Sequence, residues 1–274
     1  MARAVWSGSI SFGLVNVPVK AFTAVRDHSV HFNQLEKKSG SRIKYEKVSE
    51  KSGREVGADD IELGYEVTKG RYVTFEQAEL DDLRPESTKA IEVTDFVPLA
   101  DIDPIYYERT YWLGPVSKEG TDAYRLLLAA MEDRERVGIG TVVMRNKQYL
   151  TAVRPLDGAL AMSTMRFADE VVPQSDVDAI PSRRAKTDPK ALKLATQIVD
   201  ALESDWDPSR YEDTYTAELK RIIKRKDQGK EAVVQRTPAQ EADVVDLMEA
   251  LEKSVASAKK RKTPRSSTRK RKSA

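Results

Sequence analysis

The chain of 274 residues has no cysteine and only two histidines, His28 and His31. Without cysteine there are no disulfides, no thiolate metal sites and no cysteine nucleophile. Two imidazoles alone do not complete a zinc set. No apolar run approaches the roughly 20 residues that cross a bilayer. The opening Met1-Ala2-Arg3-Ala4-Val5-Trp6 lacks the layout of a secretory signal. Phosphate loops, glycine-rich dinucleotide turns, His-Glu-x-x-His and nucleophile elbows are also missing. These absences point to a non-enzymatic, cytoplasmic protein with no cofactor, no metal and no membrane contact.

What is present is charge, unevenly placed. Charged residues make up 33% of the chain, and the net charge is +2. Residues 259–274 contain Lys259, Lys260, Arg261, Lys262, Arg265, Arg269, Lys270, Arg271 and Lys272 and no acid; the remainder holds 37 basic against 44 acidic residues, a net of −7. An acidic body with a basic terminus reads as a globular part plus a disordered arm that meets a polyanion. Such an arm binds through counterion release, in a salt-sensitive and sequence-blind way.

The first two-thirds alternates apolar and polar residues, the period of strands. Strands are expected at Val5–Ser11, Leu14–Val25, Ile43–Val48, Ile91–Val97, Ile105–Leu113, Thr141–Met144, Tyr149–Arg154 and Ala159–Phe167, with Arg145-Asn146-Lys147-Gln148 as a hairpin turn. Two helices interrupt them, near Phe75–Leu83 and from Thr121, a candidate cap, to Arg136. Seven or so strands with few helices suggest a barrel. Residues 172–188 read as a linker. A helix then starts at Pro189 behind Asp188 and breaks at Trp206-Asp207-Pro208. The next carries Tyr215, Leu219, Ile222 and Ile223 on one face and Lys220, Arg221, Lys224, Arg225 and Lys226 on the other, and ends at Gly229. After a spacer, Val244, Leu247, Met248, Leu251 and Val255 form a narrow apolar stripe on a short helix. Such a helix is marginal alone and needs a surface to dock on.

Among the folded parts, Arg42, Lys44 and Lys47 cluster on one segment, and Arg145 and Lys147 on a turn. Together on an acidic body they are candidates for a phosphate-facing strip. No recognition helix is evident, so backbone contact without sequence preference is expected. Asp101-x-Asp103 and Asp176-x-Asp178 could hold a metal, but loop and turn roles explain them better.

Several ordered motifs carry a family resemblance. The run Ala4-Val5-Trp6-Ser7-Gly8-Ser9-Ile10-Ser11-Phe12-Gly13-Leu14-Val15-Asn16-Val17-Pro18-Val19-Lys20 resembles the opening of bacterial Ku proteins. Ile91-Glu92-Val93, Phe96-Val97-Pro98, Asp103-Pro104 and Arg145-Asn146-Lys147 are similar to the middle of that family. The segment from Trp206-Asp207-Pro208 through Tyr211, Asp213 and Tyr215 to Leu219 resembles its helical arm. The resemblance implies a mainly β fold with helices: a Ku-type barrel core over residues 1–186, including a DNA-encircling bridge at about 37–90. It further implies a helical arm and dimerisation region at 187–229, a linker with a ligase-recruiting helix at 230–258, and a disordered basic tail at 259–274. It implies a nucleoid-associated homodimer that rings double-stranded DNA ends and recruits a multifunctional ATP-dependent ligase for non-homologous end joining. Some relatives have Cys-x-x-Cys after the bridging strand, where this chain has Ser49-Glu50-Lys51-Ser52; no zinc is expected there, and another contact must hold that turn. The alternatives are a chromatin-type binder acting through its tail, a metal-dependent nuclease using Asp101 and Asp103, and an adaptor whose DNA contact is incidental.

Overall fold

Apolar side chains fall at every second position of the first hairpin, and that face is buried. In the computed structural model, which describes residues 3–83, 89–181, 187–230 and 250–256, strand β1 (Ala4–Phe12) pairs with β2 (Val15–Thr23), and Val17, Val19 and Ala21 are fully enclosed. The remaining strands are β3 (Leu63–Thr68), β4 (Arg71–Phe75), β5 (Ala90–Pro98), β6 (Tyr107–Pro115), β7 (Arg136–Met144), β8 (Lys147–Leu156) and β9 (Ala159–Met165). Seven of them close a barrel in the order β1-β2-β6-β9-β8-β7-β5, as the strand pattern predicts; β3 and β4 form a separate hairpin. The chain divides into two units, one ending at Pro173 and the other starting at Gln174.

All barrel neighbours run antiparallel except β1 and β5, which meet in parallel over Ser9–Ser11 and Ala90–Glu92. Two glycines flank β5 and let the backbones approach. A Cβ on Gly8 would lie 2.0 Å from the Lys89 carbonyl oxygen, and one on Gly140 would lie 2.0 Å from that of Glu92. A side chain at either point would push β5 off its neighbour.

Helix α2 (Glu119–Arg134) buries Tyr124, Leu127 and Met131 in the same core as Ile10, Ile91, Leu113, Leu160 and Met162. Each such side chain contributes about 1.5–3 kcal/mol through burial. The Tyr124 hydroxyl donates to the Leu113 carbonyl at 2.8 Å and accepts the Leu160 N–H at 2.7 Å. Leu113 and Leu160 are cross-strand partners on β6 and β9, so the phenol ties the helix to the barrel wall. Burial raises its pKa. The start of α2 differs from expectation: Thr121 lies within the first turn and donates to the Ser117 carbonyl, while the Ser117 hydroxyl accepts the Gly120 N–H. The far end comes two residues sooner than expected, because Glu135 turns left-handed with φ 52° and Arg136 already begins β7.

Between β2 and β5 the chain leaves the barrel. Residues 24–89 contain β3, β4 and the short helix α1 (Gln77–Asp82), and none of the described residues here is buried. The strand expected at Ile43–Val48 is not formed. Only its ends are paired, by the isolated bridges Leu35–Arg42 and Val48–Glu55. The Ile43 N–H also donates to the Gln34 carbonyl at 3.0 Å, and the Val56 N–H to the Lys47 carbonyl at 2.9 Å. The two ends pair with different segments, so no ladder runs through it. In its place are two like-built turns. In Glu36-Lys37-Lys38-Ser39-Gly40-Ser41, the Glu36 N–H donates to the Ser41 carbonyl and the Gly40 N–H to the Glu36 carbonyl, both at 2.8 Å. In Ser49-Glu50-Lys51-Ser52-Gly53-Arg54, the same two bonds join Ser49 to Arg54 at 2.9 Å and Gly53 to Ser49 at 2.8 Å. Gly40 and Gly53 are both left-handed, with φ of 71° and 65°. The Ser39 hydroxyl donates to the Glu36 carboxylate, and the Ser49 hydroxyl accepts the Ser52 N–H. Hydrogen bonds therefore hold the turn where the resemblance leaves cysteines out. The short repeat Ser-Gly at 39–40 and 52–53 is too brief to stand out as a sequence repeat.

The second unit contains helices α3 (Pro189–Leu202) and α4 (Thr214–Asp227). The cap of α3 and the end of α4 follow the sequence signals. Asp188 accepts the Lys190 N–H at 3.1 Å, Asp213 accepts that of Thr216 at 2.9 Å, and Gly229 ends α4 at φ 70°. Neither helix has a buried residue. Leu192, Val199, Leu202, Trp206, Tyr211 and Tyr215 are all exposed, and Trp206 stacks on Tyr211 at 5.5 Å.

Two substitutions test which contacts hold the barrel. Tyr124→Phe should cost about 1–3 kcal/mol, because it leaves a buried N–H and a buried carbonyl without the hydroxyl. Gly140→Ala should cost at least as much, since strand backbones cannot retreat within a closed barrel. Urea unfolding at fixed protein concentration measures both, with the open site Gly57→Ala as a control.

Candidate nucleic-acid interface

The β7–β8 hairpin turn places two of the predicted cations. Arg145 and Asn146 both have left-handed backbone, φ 51° and 66°, the geometry of a tight two-residue turn that follows the strand twist. Asn favours this conformation and arginine tolerates it poorly. Lys147 begins β8 rather than lying within the turn, and its ammonium sits 5.1 Å from the Tyr149 ring centroid. An aromatic face stabilises a cation there.

The turn opens onto two adjoining clefts. The smaller, about 190 Å³, is lined by Glu108, Arg109, Tyr111, Arg145, Lys147 and Tyr149, together with Met144 and Thr164. The larger, about 530 Å³, is walled by Arg109, Arg145 and Glu108 on one side and by Thr23, Val25 and Asp27 on the other. Thr23 ends β2, so the cationic turn lies beside the root of the 24–89 excursion. Asp27 is held below the ordinary carboxylate range, first by the Ser29 hydrogen bonds, and stays ionised at neutral pH. The charges are therefore mixed in the larger cleft, while cations prevail in the smaller.

Arg109 is the residue that sequence reading passed over. It stands among the aromatics of β6, Tyr107, Tyr111 and Trp112. Its N–H donates to Thr164 Oγ1 at 3.2 Å on β9, and its side chain lines both clefts. Only the pairing of β6, β9 and β8 brings it to Arg145 and Lys147.

The other expected cations are not all together. Arg42, Lys44 and Lys47 are exposed on the excursion, apart from the clefts. Lys259, Lys260, Arg261, Lys262, Arg269, Lys270, Arg271 and Lys272 lie outside the described residues, as do Val244, Leu247 and Met248. Of the expected partner-binding stripe, Leu251 and Val255 are described; both are helical, and Val255 is 8% exposed. Asp103 has a turn role, accepting the Ile105 N–H at 2.9 Å.

With this geometry in view, comparisons with known proteins become specific. A family profile, the Ku70/Ku80 beta-barrel domain, matches residues 11–194. The chain is 44% identical over 260 residues to non-homologous end joining protein Ku 1 of Saccharopolyspora erythraea, covering 95% of this chain and 80% of that one. The chain belongs to the Ku family. The Ku protein of Coxiella burnetii is 36% identical and is aligned over 98% of this chain and 99% of its own, and that of Bacillus subtilis is 38% identical over 91% and 80%. Among solved structures, the SPOC domain of human PHD-finger protein 3 covers 60% of this chain and 95% of its own at a TM-score of 0.30 and 15% identity, a likeness that carries no argument. The seven-strand barrel is thus a Ku barrel. Among the described residues, no helix is long and apolar enough to cross a membrane.

The turn makes a clean test of charge against conformation. Arg145→Asn keeps a residue at ease in left-handed backbone and should change stability by less than about 0.5 kcal/mol. Arg145→Val should cost about 1–2 kcal/mol, because a β-branched side chain resists that backbone. Thermal melts of both variants read the difference.

Proposed function

We propose that this chain binds the ends of double-stranded DNA without regard to sequence, as a homodimeric ring, and there recruits an ATP-dependent DNA ligase for break repair by non-homologous end joining. It acts in the cytoplasm, at the nucleoid, and performs no chemistry itself. Its relatives are named for non-homologous end joining.

The observation that carries this reading is the excursion of residues 24–89. A segment without a core does not offset its own ordering entropy, yet this one exposes Phe32, Leu35, Ile43, Tyr45, Tyr65 and Tyr72. Apolar surface on that scale marks an interaction site, and a second copy supplies it symmetrically. Arg42, Lys44 and Lys47 on the excursion, with Arg109, Arg145 and Lys147 at its root, offer cations to the sugar–phosphate backbone. Backbone contacts position a protein without reading bases.

The division of labour along the chain follows. Residues 259–274 add salt-sensitive adhesion, and the stripe of Val244, Leu247, Met248, Leu251 and Val255 docks the ligase. A chromatin-type binder would use the tail alone and would treat all duplexes alike.

A gel shift at about 0.15 M salt, where surface charges are screened beyond roughly 8 Å, compares one duplex as a linear fragment and as a closed circle. Binding to the linear form, with complexes trapped once the fragment is circularised, is the expected outcome. Equal binding to both forms would overturn the ring. In a ligation assay, Leu247→Asp with Leu251→Asp should abolish ligase stimulation while leaving the DNA shift intact. Unchanged stimulation would move the docking site elsewhere.

A further inference from the structure

The basic side of α4 has no part in the proposed function, yet it is the most ordered array of cations among the described residues. Projected at about 100° per residue, Lys220, Lys224, Arg221 and Arg225 fall within one arc of roughly 140°. Tyr215, Leu219, Ile222 and Ile223 fall within an arc of about 100° on the other side. Lys226, which the sequence groups with the basic face, projects into the apolar arc instead.

From Lys220 to Lys226 the helix has no acid. Glu218, at the edge of the basic arc, accepts two hydrogen bonds from Arg221 at 2.7 and 2.6 Å. Asp213 and Asp227 stand at the two ends, and Asp213 is occupied as the cap. Lys220 and Lys224 are both exposed. Glu218 offsets Arg221 and Arg225 together, whereas Lys220–Lys224 is a like-charge pair at i,i+4, an arrangement that disfavours an isolated helix. A polyanion lying along that face reverses the sign. Successive cations at this spacing are about 6 Å apart along the axis, close to two steps of the roughly 3.4 Å charge spacing of one DNA strand.

We infer that the Lys220–Arg225 face of α4 is a second contact for duplex DNA phosphates, separate from the bridge and the basic tail. The inference rests on the DNA-end reading and adds to it a site on the helical arm. Its contribution is electrostatic and sequence-blind.

Fluorescence anisotropy on a blunt-ended linear duplex, titrated across a series of salt concentrations with the full-length protein, tests it. Lys220→Gln with Lys224→Gln keeps helix-forming residues and removes two charges from the face. The log–log salt slope should become shallower by up to about 1.8 per protomer, 0.9 for each phosphate no longer neutralised. Lys220→Arg with Lys224→Arg should keep the wild-type slope. Lys226→Gln with Lys230→Gln removes the same charge from outside the basic face and should also leave the slope unchanged. If the first variant keeps the wild-type slope, or if the outside pair flattens it equally, the α4 site is wrong while DNA binding stands. If the wild-type protein shows no preference for linear DNA over a closed circle, the end-binding reading itself fails.

Discussion

An odd number of strands cannot alternate direction all the way around a closed barrel. With seven strands, one neighbouring pair must run parallel, and here it is β1 with β5. The rest of the first unit depends on that seam. It is only three residues long, and Gly8 permits it by leaving room for the carbonyl of Lys89, while Gly140 does the same for Glu92 on the β7 side of β5. The Ser9 N–H closes it on the Lys89 carbonyl at 2.9 Å.

The seam also decides where the excursion begins and ends. Residues 24–89 leave β2 near the partner of Ala4 and return to β5 at the partner of Ser9. The two roots lie five residues apart along β1, roughly 17 Å at strand rise. A long segment held at two such points projects from the barrel as an arch rather than packing as a loop on its surface. This accounts for the absence of burial among its described residues and for the two hydrogen-bonded turns that give it local order. The barrel thus acts as a rigid mount, and the arch is the element it presents.

Charge is distributed to match. The barrel core is apolar; Ser163 meets Thr110 at 3.0 Å across β6 and β9, while the buried Tyr107 hydroxyl has no hydrogen-bond partner among the described residues. Cations gather on residues 37–54 of the arch, where seven basic residues stand against two acidic ones, at its root and on one side of α4, although residues 24–89 as a whole hold 12 basic and 14 acidic residues. At the root, Arg109, Arg145 and Lys147 converge on open clefts, and on the arch and α4 the cations are spread over exposed faces. They offer surfaces, which is what a long polyanion requires. On the proposed reading, a ring that encircles DNA gains affinity from topology and phosphate contacts, and base-reading groups add nothing.

Periodicity in the sequence was enough to locate the barrel strands, the helix cap at Asp188 and the turn at Arg145-Asn146, because these are set by local sterics and by which face is apolar; the cap at Asp213 came from the structure. The motifs from Ala4 to Lys20 and around Trp206 were enough to name the family. Local pattern was not enough for Ile43–Val48, which alternates like a strand but is paired only at its two ends, with different segments; pairing is a property of two segments. Nor could it find Arg109, hidden in an aromatic strand until β6, β9 and β8 align, or the β3–β4 hairpin, whose side chains are all exposed or nearly so. The sequence by itself determined the barrel strands, the helices and the family they serve. Tertiary structure alone decided which distant cations share a cleft and that Gly8 admits the seam, because both depend on distances between strands that lie far apart along the chain.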